Sequence, residues 1–371
     1  MLARRIGLGV AAWVVAATAF VVFVARPEHC PTVDETSVSA AAEAAVGWFD
    51  ANQRDDGSWL YRYNKATQTD LGGYHLTRHA GVLLSLFQAG DLSGGDNGVA
   101  FALDRLERQD DWAAFGEGDS LESGASALLV AALGQRRLDA GDTSHDDDLA
   151  ALGRFLVAMT DPDGKVFAAW QPSTQTASGA SVFSTGETWF ALNRLERLFP
   201  HAGWREPAER VGRYVMEHRD DAEDVFPPAS DHWGAYAVDE MQHWATPPSP
   251  ELTKMTDAYA ERLAGIFGVQ VRFESQRTDS GMNVLLRGHQ ALPSGLGTLG
   301  EGLGALVRYE AARGRPDHAA AIADRMECAV GMLVVRQVSS DDPRADGAWF
   351  HSDVTRMDDQ QHPLSTLIAY G

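Results

Sequence analysis

From Ser37 onward, stretches with apolar residues at helical spacing alternate with connections rich in Gly and Asp, and no run of strand alternation stands out. The first unit reads as a helix over 38–52, a polar turn Gln53-Arg54-Asp55-Asp56-Gly57-Ser58-Trp59, and a second helix over 75–89. The third unit repeats this order: a helix over 147–159, a turn at Asp161-Pro162-Asp163-Gly164-Lys165-Val166-Phe167, and a helix from Gly186-Glu187. The last unit repeats it again, with 317–337, Asp346-Gly347-Ala348-Trp349, and a helix from about Asp359. Three looser units share the grammar: 99–108 leads through Trp112 and Phe115 into 122–133, 205–219 through Phe226 into 231–243, and 250–267 into 299–313. In each pair the second helix is rich in Gly, Ala and Ser, which lets helices crowd around an axis while the first shields them. Self-similarity of this kind predicts an all-α fold, a closed double ring of six helix pairs over residues 37–371. An open solenoid of helical hairpins is the alternative.

The recurrent turn has its own physics. Glycine supplies φ > 0 and aspartate caps the amides that follow. The tryptophan (Trp59, Trp349) then folds back across the helix pair and locks neighbouring units.

Before the repeats, residues 6–25 form an uncharged run of about 20 residues, the length that crosses a hydrocarbon core of about 30 Å. Arg4 and Arg5 precede it, favouring a cytoplasmic N-terminus and an exported body. The run ends Phe23-Val24-Ala25-Arg26-Pro27, a poor cleavage site, so an uncleaved transmembrane signal-anchor is expected. The resulting division is 1–5 cytoplasmic, 6–25 membrane, 26–36 linker and 37–371 extracytoplasmic. Two cysteines, Cys30 and Cys328, are too few for a disulfide framework, and Cys328 reads as a small buried hydrophobe in a helix.

Gln53-x3-Gly57-x-Trp59 resembles the QW repeat of squalene/hopene cyclases and their relatives, with weaker echoes at Asp163-Gly164 and Asp346-Gly347-x-Trp349. The resemblance implies the (α/α)6 toroid, a fold shared with protein prenyltransferases, lanthionine cyclases, and six-hairpin glycosidases, polysaccharide lyases and sugar epimerases. It says little about activity, because functions are grafted on folds. The Asp-x-Asp-Asp acid motif of the protonating cyclases is missing; Ser144-His145-Asp146-Asp147-Asp148 puts serine at its first position. Asp220-Asp221-Ala222-Glu223-Asp224 fits a diphosphate-binding pattern but reads as a solvated acidic turn. Zinc-dependent relatives need cysteine among their ligands, and Cys328 falls on an outer helix.

The net charge of −21 repels phosphate backbones and anionic surfaces, so nucleic acid is excluded as a partner. In a ring, the open end lined by the starts of the inner helices is the natural cavity, and those starts favour anions. Ionisable groups gather there. Glu187, Glu301, Asp358, Asp359 and His79 are the catalytic candidates, Glu187 and Glu301 foremost because both follow a glycine at an expected helix entry. Arg78, Glu122, Trp189, His232, Trp233 and His362 are the candidates for substrate binding. Capping by the acids and packing by the aromatics are the bland readings of each. No cofactor is required by the pattern; His75 and His79, four apart on a helix, are the one pair suited to zinc or another divalent metal. Together these features point to a membrane-anchored, extracytoplasmic enzyme acting on an envelope or exopolysaccharide glycan by hydrolysis, or by lyase or epimerase chemistry on a uronic acid. A non-catalytic glycan- or peptide-binding scaffold and a terpenoid cyclase are the competing readings.

Overall fold

The computed structural model describes residues 2–23, 27–223, 230–278 and 281–371. Helix α1 (Leu2–Phe23) leads into six helix pairs. Outer α2 (Glu35–Asn52) precedes inner α3 (Leu76–Gln88), α4 (Leu92–Leu103) precedes α5 (Ser123–Ala140), and α6 (Asp146–Ala158) precedes α7 (Val182–Leu198). Outer α8 (Arg205–Glu217) is followed by the one-turn α9 (Arg219–Ala222) and inner α10 (His232–Met241). Outer α11 (Pro250–Ser275) is followed by short α12 (Gly281–Arg287) and inner α13 (Pro293–Ala312). Outer α14 (Pro316–Val334) and inner α15 (Asp358–Tyr370) complete the set. The inner helices touch in the order α3, α5, α7, α10, α13, α15, and α15 returns to α3, so the ring is closed. This is the (α/α)6 toroid.

The two layers differ as their sequences demand. Inner α5 is buried on every side from Ser123 to Gly134, whereas outer α8 buries one stripe, Pro207, Ala208, Val211, Gly212, Tyr214 and Val215. The turn glycines act as expected: φ is +84° at Gly57, +96° at Gly164 and +73° at Gly347. A Cβ at these positions would run into the carbonyls of Asn97 on α4, Arg210 on α8 and Ala44 on α2 respectively. Each turn thus packs its backbone on a neighbouring outer helix, and the last one, reaching α2, closes the ring. Trp59 and Trp349 are fully buried, Trp59 against Gly98 and Trp349 donating from its indole to Leu333 O at 2.8 Å.

Two expectations are corrected, and a third finds no support among the described residues. Eight short strands are present among the described residues: β1 (Arg62–Asn64), β2 (Thr69–Asp70), β3 (Leu106–Gln109), β4 (Trp112–Glu117), β5 (Ser120–Glu122), β6 (Ala169–Gln171), β7 (Thr176–Ser178) and β8 (Val354–Arg356). They pair in the orders β2-β1-β8 and β3-β4-β5-β6-β7, all antiparallel. All lie in connections from outer to inner helices, so they gather at the end where the inner helices begin. Strands of two to six residues are too short to reveal a period-two pattern.

The two cysteines, read as unpaired, form a disulfide between Cys30 and Cys328, 298 residues apart. Closure of the ring brings the segment after α1 onto α14, where Pro31 lies against Gly331.

The third concerns the membrane span. The side chains of α1 are described from position 6 to position 22, and among the described residues no helix is long and apolar enough to cross a membrane. The end of the expected span at 24–26 lies outside the described residues, as do Phe226 and Asp224 of the fourth-unit turn.

Candidate active site

A cavity of about 900 Å³ opens at the inner-helix starts. Arg78, Glu122, Glu187, His232, Trp233, Asp358 and His362 line it, brought from five of the six inner helices or the residues just before them. Here the polar candidates converge as a ring mouth requires.

At its floor, α10, α13 and α15 bring three ionisable side chains together. His362 Nδ1 lies 2.7 Å from Glu301 Oε2, and His232 Nε2 lies 3.7 Å from the same oxygen. The two imidazoles meet edge to face with centroids 5.3 Å apart, and Trp233 leans on His232 at 4.2 Å. Glycine makes the approach possible: a Cβ on Gly297 of α13 would collide with the main chain of His362 and Pro363. Asp231, the N-cap of α10, holds the other wall. It accepts from Gly234 N at 2.9 Å and is paired with buried Arg219.

The environments split the two histidines. Burial drives His232 well below the ordinary range, and the neighbouring His362 pushes the same way. For His362 burial also opposes the charge, but Glu301, Asp358 and Asp359 outweigh it and hold the group above the ordinary range. Glu301 itself is lifted by burial, with His362 opposing. The His362–Glu301 couple therefore keeps its proton while His232 stays neutral. His232 Nε2 has no hydrogen-bond partner in the protein, although it is buried at the cavity. Buried polar atoms of this kind are normally satisfied, so a substrate group or water is the natural occupant.

Glu187 is the second acid of the cavity. Desolvation, then the carboxylates of Asp231 and Glu122, push it up to about 8. It carries its proton at neutral pH. Glu122 accepts from Thr77 Oγ1 at 2.8 Å, and Asp358 faces Arg78 at 3.3 Å and Arg356 at 3.2 Å. Arg78 is further oriented by Tyr61 OH.

Four sequence candidates sit elsewhere. His79 is fully buried in an aromatic nest, with Nδ1 2.7 Å from Tyr74 OH and Nε2 2.9 Å from Gly98 O. Both nitrogens are engaged, which removes it as a base and removes the His75–His79 metal pair. Trp189 is buried between α8 and α11, against Gly212 and Tyr259, and does not reach the cavity. Asp359 accepts from the amides of Ser294 at 3.2 Å and Arg356 at 3.1 Å, a cap that ties α13 to α15. Glu301 lies behind the wall, reaching the cavity through the histidines rather than facing Glu187 across it. The expected entry-turn positions were also misjudged: α7 begins at Val182 and α13 at Pro293, so Glu187 and Glu301 lie one to two turns inside their helices.

Among the described residues, His232, Glu301 and His362 could hold a metal, their ligand atoms lying within 4.8 Å of one another. The donor set suits a divalent transition metal, although His362 Nδ1 is engaged with Glu301. A second group, Glu28, Cys30 and Cys328, has both cysteines bound in the disulfide and is left with one carboxylate.

Sequence reasoning missed part of the cavity lining: Phe273 in the last turn of α11, Arg277 just after it, Phe183 at the start of α7, and Gln361 beside His362. Gln361 had a signal, its adjacency to His362. The others lie where no repeat marks them.

No protein-family model and no curated protein matches the sequence. The fold does match solved structures. A cellobiose 2-epimerase from Spirochaeta thermophila superposes with TM-score 0.61 at 13% identity, over 91% of this chain and 95% of that one. A glycoside hydrolase family 76 α-mannanase from Bacteroides thetaiotaomicron gives 0.59 at 9%, over 90% and 95%. A type II terpene cyclase from Scytonema gives 0.55 at 10%, over 90% and 97%. At these identities the likeness establishes the toroid and nothing finer.

Proposed function

We propose that the chain is a carbohydrate-active enzyme that moves protons at a sugar carbon, as an epimerase, isomerase or lyase does, with His232 as base and the His362–Glu301 couple as acid. One observation carries this reading: two imidazoles at the floor of a sugar-sized cavity have proton affinities driven in opposite directions by burial and by one buried carboxylate. Such a split is what acid–base catalysis near neutral pH needs. Abstraction next to a carbonyl or carboxylate leaves negative charge on its oxygen. Arg78 and protonated Glu187 supply the positive charge and the donated hydrogen bond that accommodate it. Similarity to a cellobiose 2-epimerase supports the substrate class.

Hydrolysis is the second reading, favoured by Glu187 alone: a carboxyl protonated at neutral pH suits a general acid, with Glu122 or Asp358 as its ionised partner. The two readings part in deuterated water. Incubated with a panel of reducing sugars and uronic-acid oligosaccharides, the enzyme should wash deuterium into a carbon-bound position, seen by NMR. New reducing ends without carbon-bound deuterium would overturn the first reading in favour of the second.

The body is further proposed to sit outside the cytoplasm behind a membrane anchor. The apolar run at 6–25 supports the anchor, and a disulfide supports an oxidising compartment.

A further inference from the structure

We propose that the cavity mouth rests on the lipid bilayer, so that the saccharide it receives is the headgroup of a membrane lipid rather than a freely diffusing sugar. The inference rests on the anchored, carbohydrate-active reading above and specifies the source of its substrate. The observations are independent of the acid–base floor.

The first is how α1 joins the body. Arg287 of α12 donates to Val22 O near the end of α1. His29 N donates to Ser275 O at 2.9 Å, Glu28 pairs with Arg325 and with Arg272 at 3.5 Å, and Cys30 is bonded to Cys328. The apolar helix is therefore held at the body by its C-terminal end, while its side chains from position 6 to position 21 stay exposed. Its seat is the mouth: Ser275 adjoins Glu274, and Arg287 is four residues from Ala291, both residues lining the cavity.

The second is the surface around that seat. Phe183 and Phe273, both lining the mouth, are 63% and 50% exposed. Val269, Met282 and Leu285 continue the patch at 53%, 67% and 78% exposed. Scattered exposed hydrophobes are ordinary, but a run gathered on one face marks an interaction surface. An aqueous protein partner has no claim on this face that the bilayer lacks, since the face adjoins the end of a helix whose residues 6–22 carry no charge. Charge agrees. In a chain of net charge −21, the guanidiniums of Arg277, Arg287 and Arg336 lie at this rim, Arg277 paired with Glu274, Arg287 donating to Gln276 Oε1 at 2.6 Å and Arg336 to Ala291 O at 2.9 Å. Basic side chains beside a membrane surface are drawn to its anionic headgroups. A cavity opening there meets lipid headgroups first, and the apolar rim accommodates the upper part of a lipid tail.

The test uses the full chain in phosphatidylcholine–phosphatidylglycerol nanodiscs. A nitroxide is placed by Leu285→Cys and, as the control, by Leu92→Cys at the opposite end of the ring; both sites are exposed and the native cysteines are already paired. Relaxation by oxygen against a water-soluble nickel chelate reports depth. The Leu285 label should favour oxygen several-fold over the Leu92 label. Equal, chelate-dominated relaxation at both sites would overturn the docking. The same nanodiscs are then doped with glycosyl-diacylglycerol, or supplied with the matching methyl glycoside in solution. Conversion of the lipid-borne sugar at least tenfold faster supports the proposal, and equal rates overturn the substrate assignment. A buried Leu285 label with neither sugar converted and no carbon-bound deuterium in the sugar panel would leave the docking standing and sink the enzymatic reading instead.

Discussion

His79 and His232 both sit at or next to the start of an inner helix, both are essentially buried, and both are driven by burial below the ordinary histidine range, His79 to about 4. They differ in what their nitrogens meet. His79 has a phenol on one side and a carbonyl on the other, inside rings contributed by Trp59, Tyr74, Phe101 and Phe115. His232 presents Nε2 to no protein partner, beside a buried carboxylate and a second imidazole. Burial and perturbation alone do not mark a working histidine. An unsatisfied nitrogen beside a cavity does, because a fold rarely leaves such an atom bare without a ligand to meet it.

This contrast can be broken in several ways. The largest expected effect is on rate: His232→Gln and His362→Gln should each lose on the order of 10²–10⁴ in turnover while the melting temperature barely moves. Turnover within tenfold of the parent in both variants would remove them from the chemistry. The mirror experiment is His79→Ala, which strips two hydrogen bonds and opens a void in an aromatic cluster. It should cost roughly 3–5 kcal/mol by urea unfolding, as should Trp59→Ala, with turnover per folded molecule retained. Loss of rate at unchanged stability in His79→Ala would collapse the distinction.

Glu187 sharpens the comparison through pH. Its folded value of about 8 lies above its ordinary 4.5, so the folded state holds a proton the unfolded chain releases. That stabilisation is complete below about 4.5 and disappears as the pH rises through about 8. Glu187→Gln, which imitates the protonated form, should flatten this decline and exceed the parent by roughly 2–4 kcal/mol at pH 9. Parallel stability curves for the two proteins would show that Glu187 ionises freely. The smallest effect is expected from chelation: dialysis against EDTA should leave rate and melting temperature unchanged if His232, Glu301 and His362 handle protons. Loss of activity restored by zinc would convert the cluster into a metal centre.

The ring was legible in the sequence because its determinants are local. Asp-Gly turns need positive φ, small residues allow inner helices to crowd, and both recur at each unit. The mouth was legible as a place for the same reason, since ionisable groups accumulate at one end of the inner helices. Which of them work together was not, because partnership is set across the ring: Gly297 admits His362, and only then does Glu301 acquire its neighbour. The Cys30–Cys328 bond was hidden by the same closure. Trp189 and His79 were misplaced because a helix face one residue away from the axis points into packing rather than into the cavity.

The central claim is the split between the two imidazoles, and side-chain ¹H–¹⁵N NMR of the histidines measures it without knowledge of the substrate. With His232 and His362 assigned from their Gln variants, His362 should keep its Nδ1 proton and titrate above 6.5. His232 should remain neutral well below that pH. Two histidines titrating together near 6.5 would contradict the account.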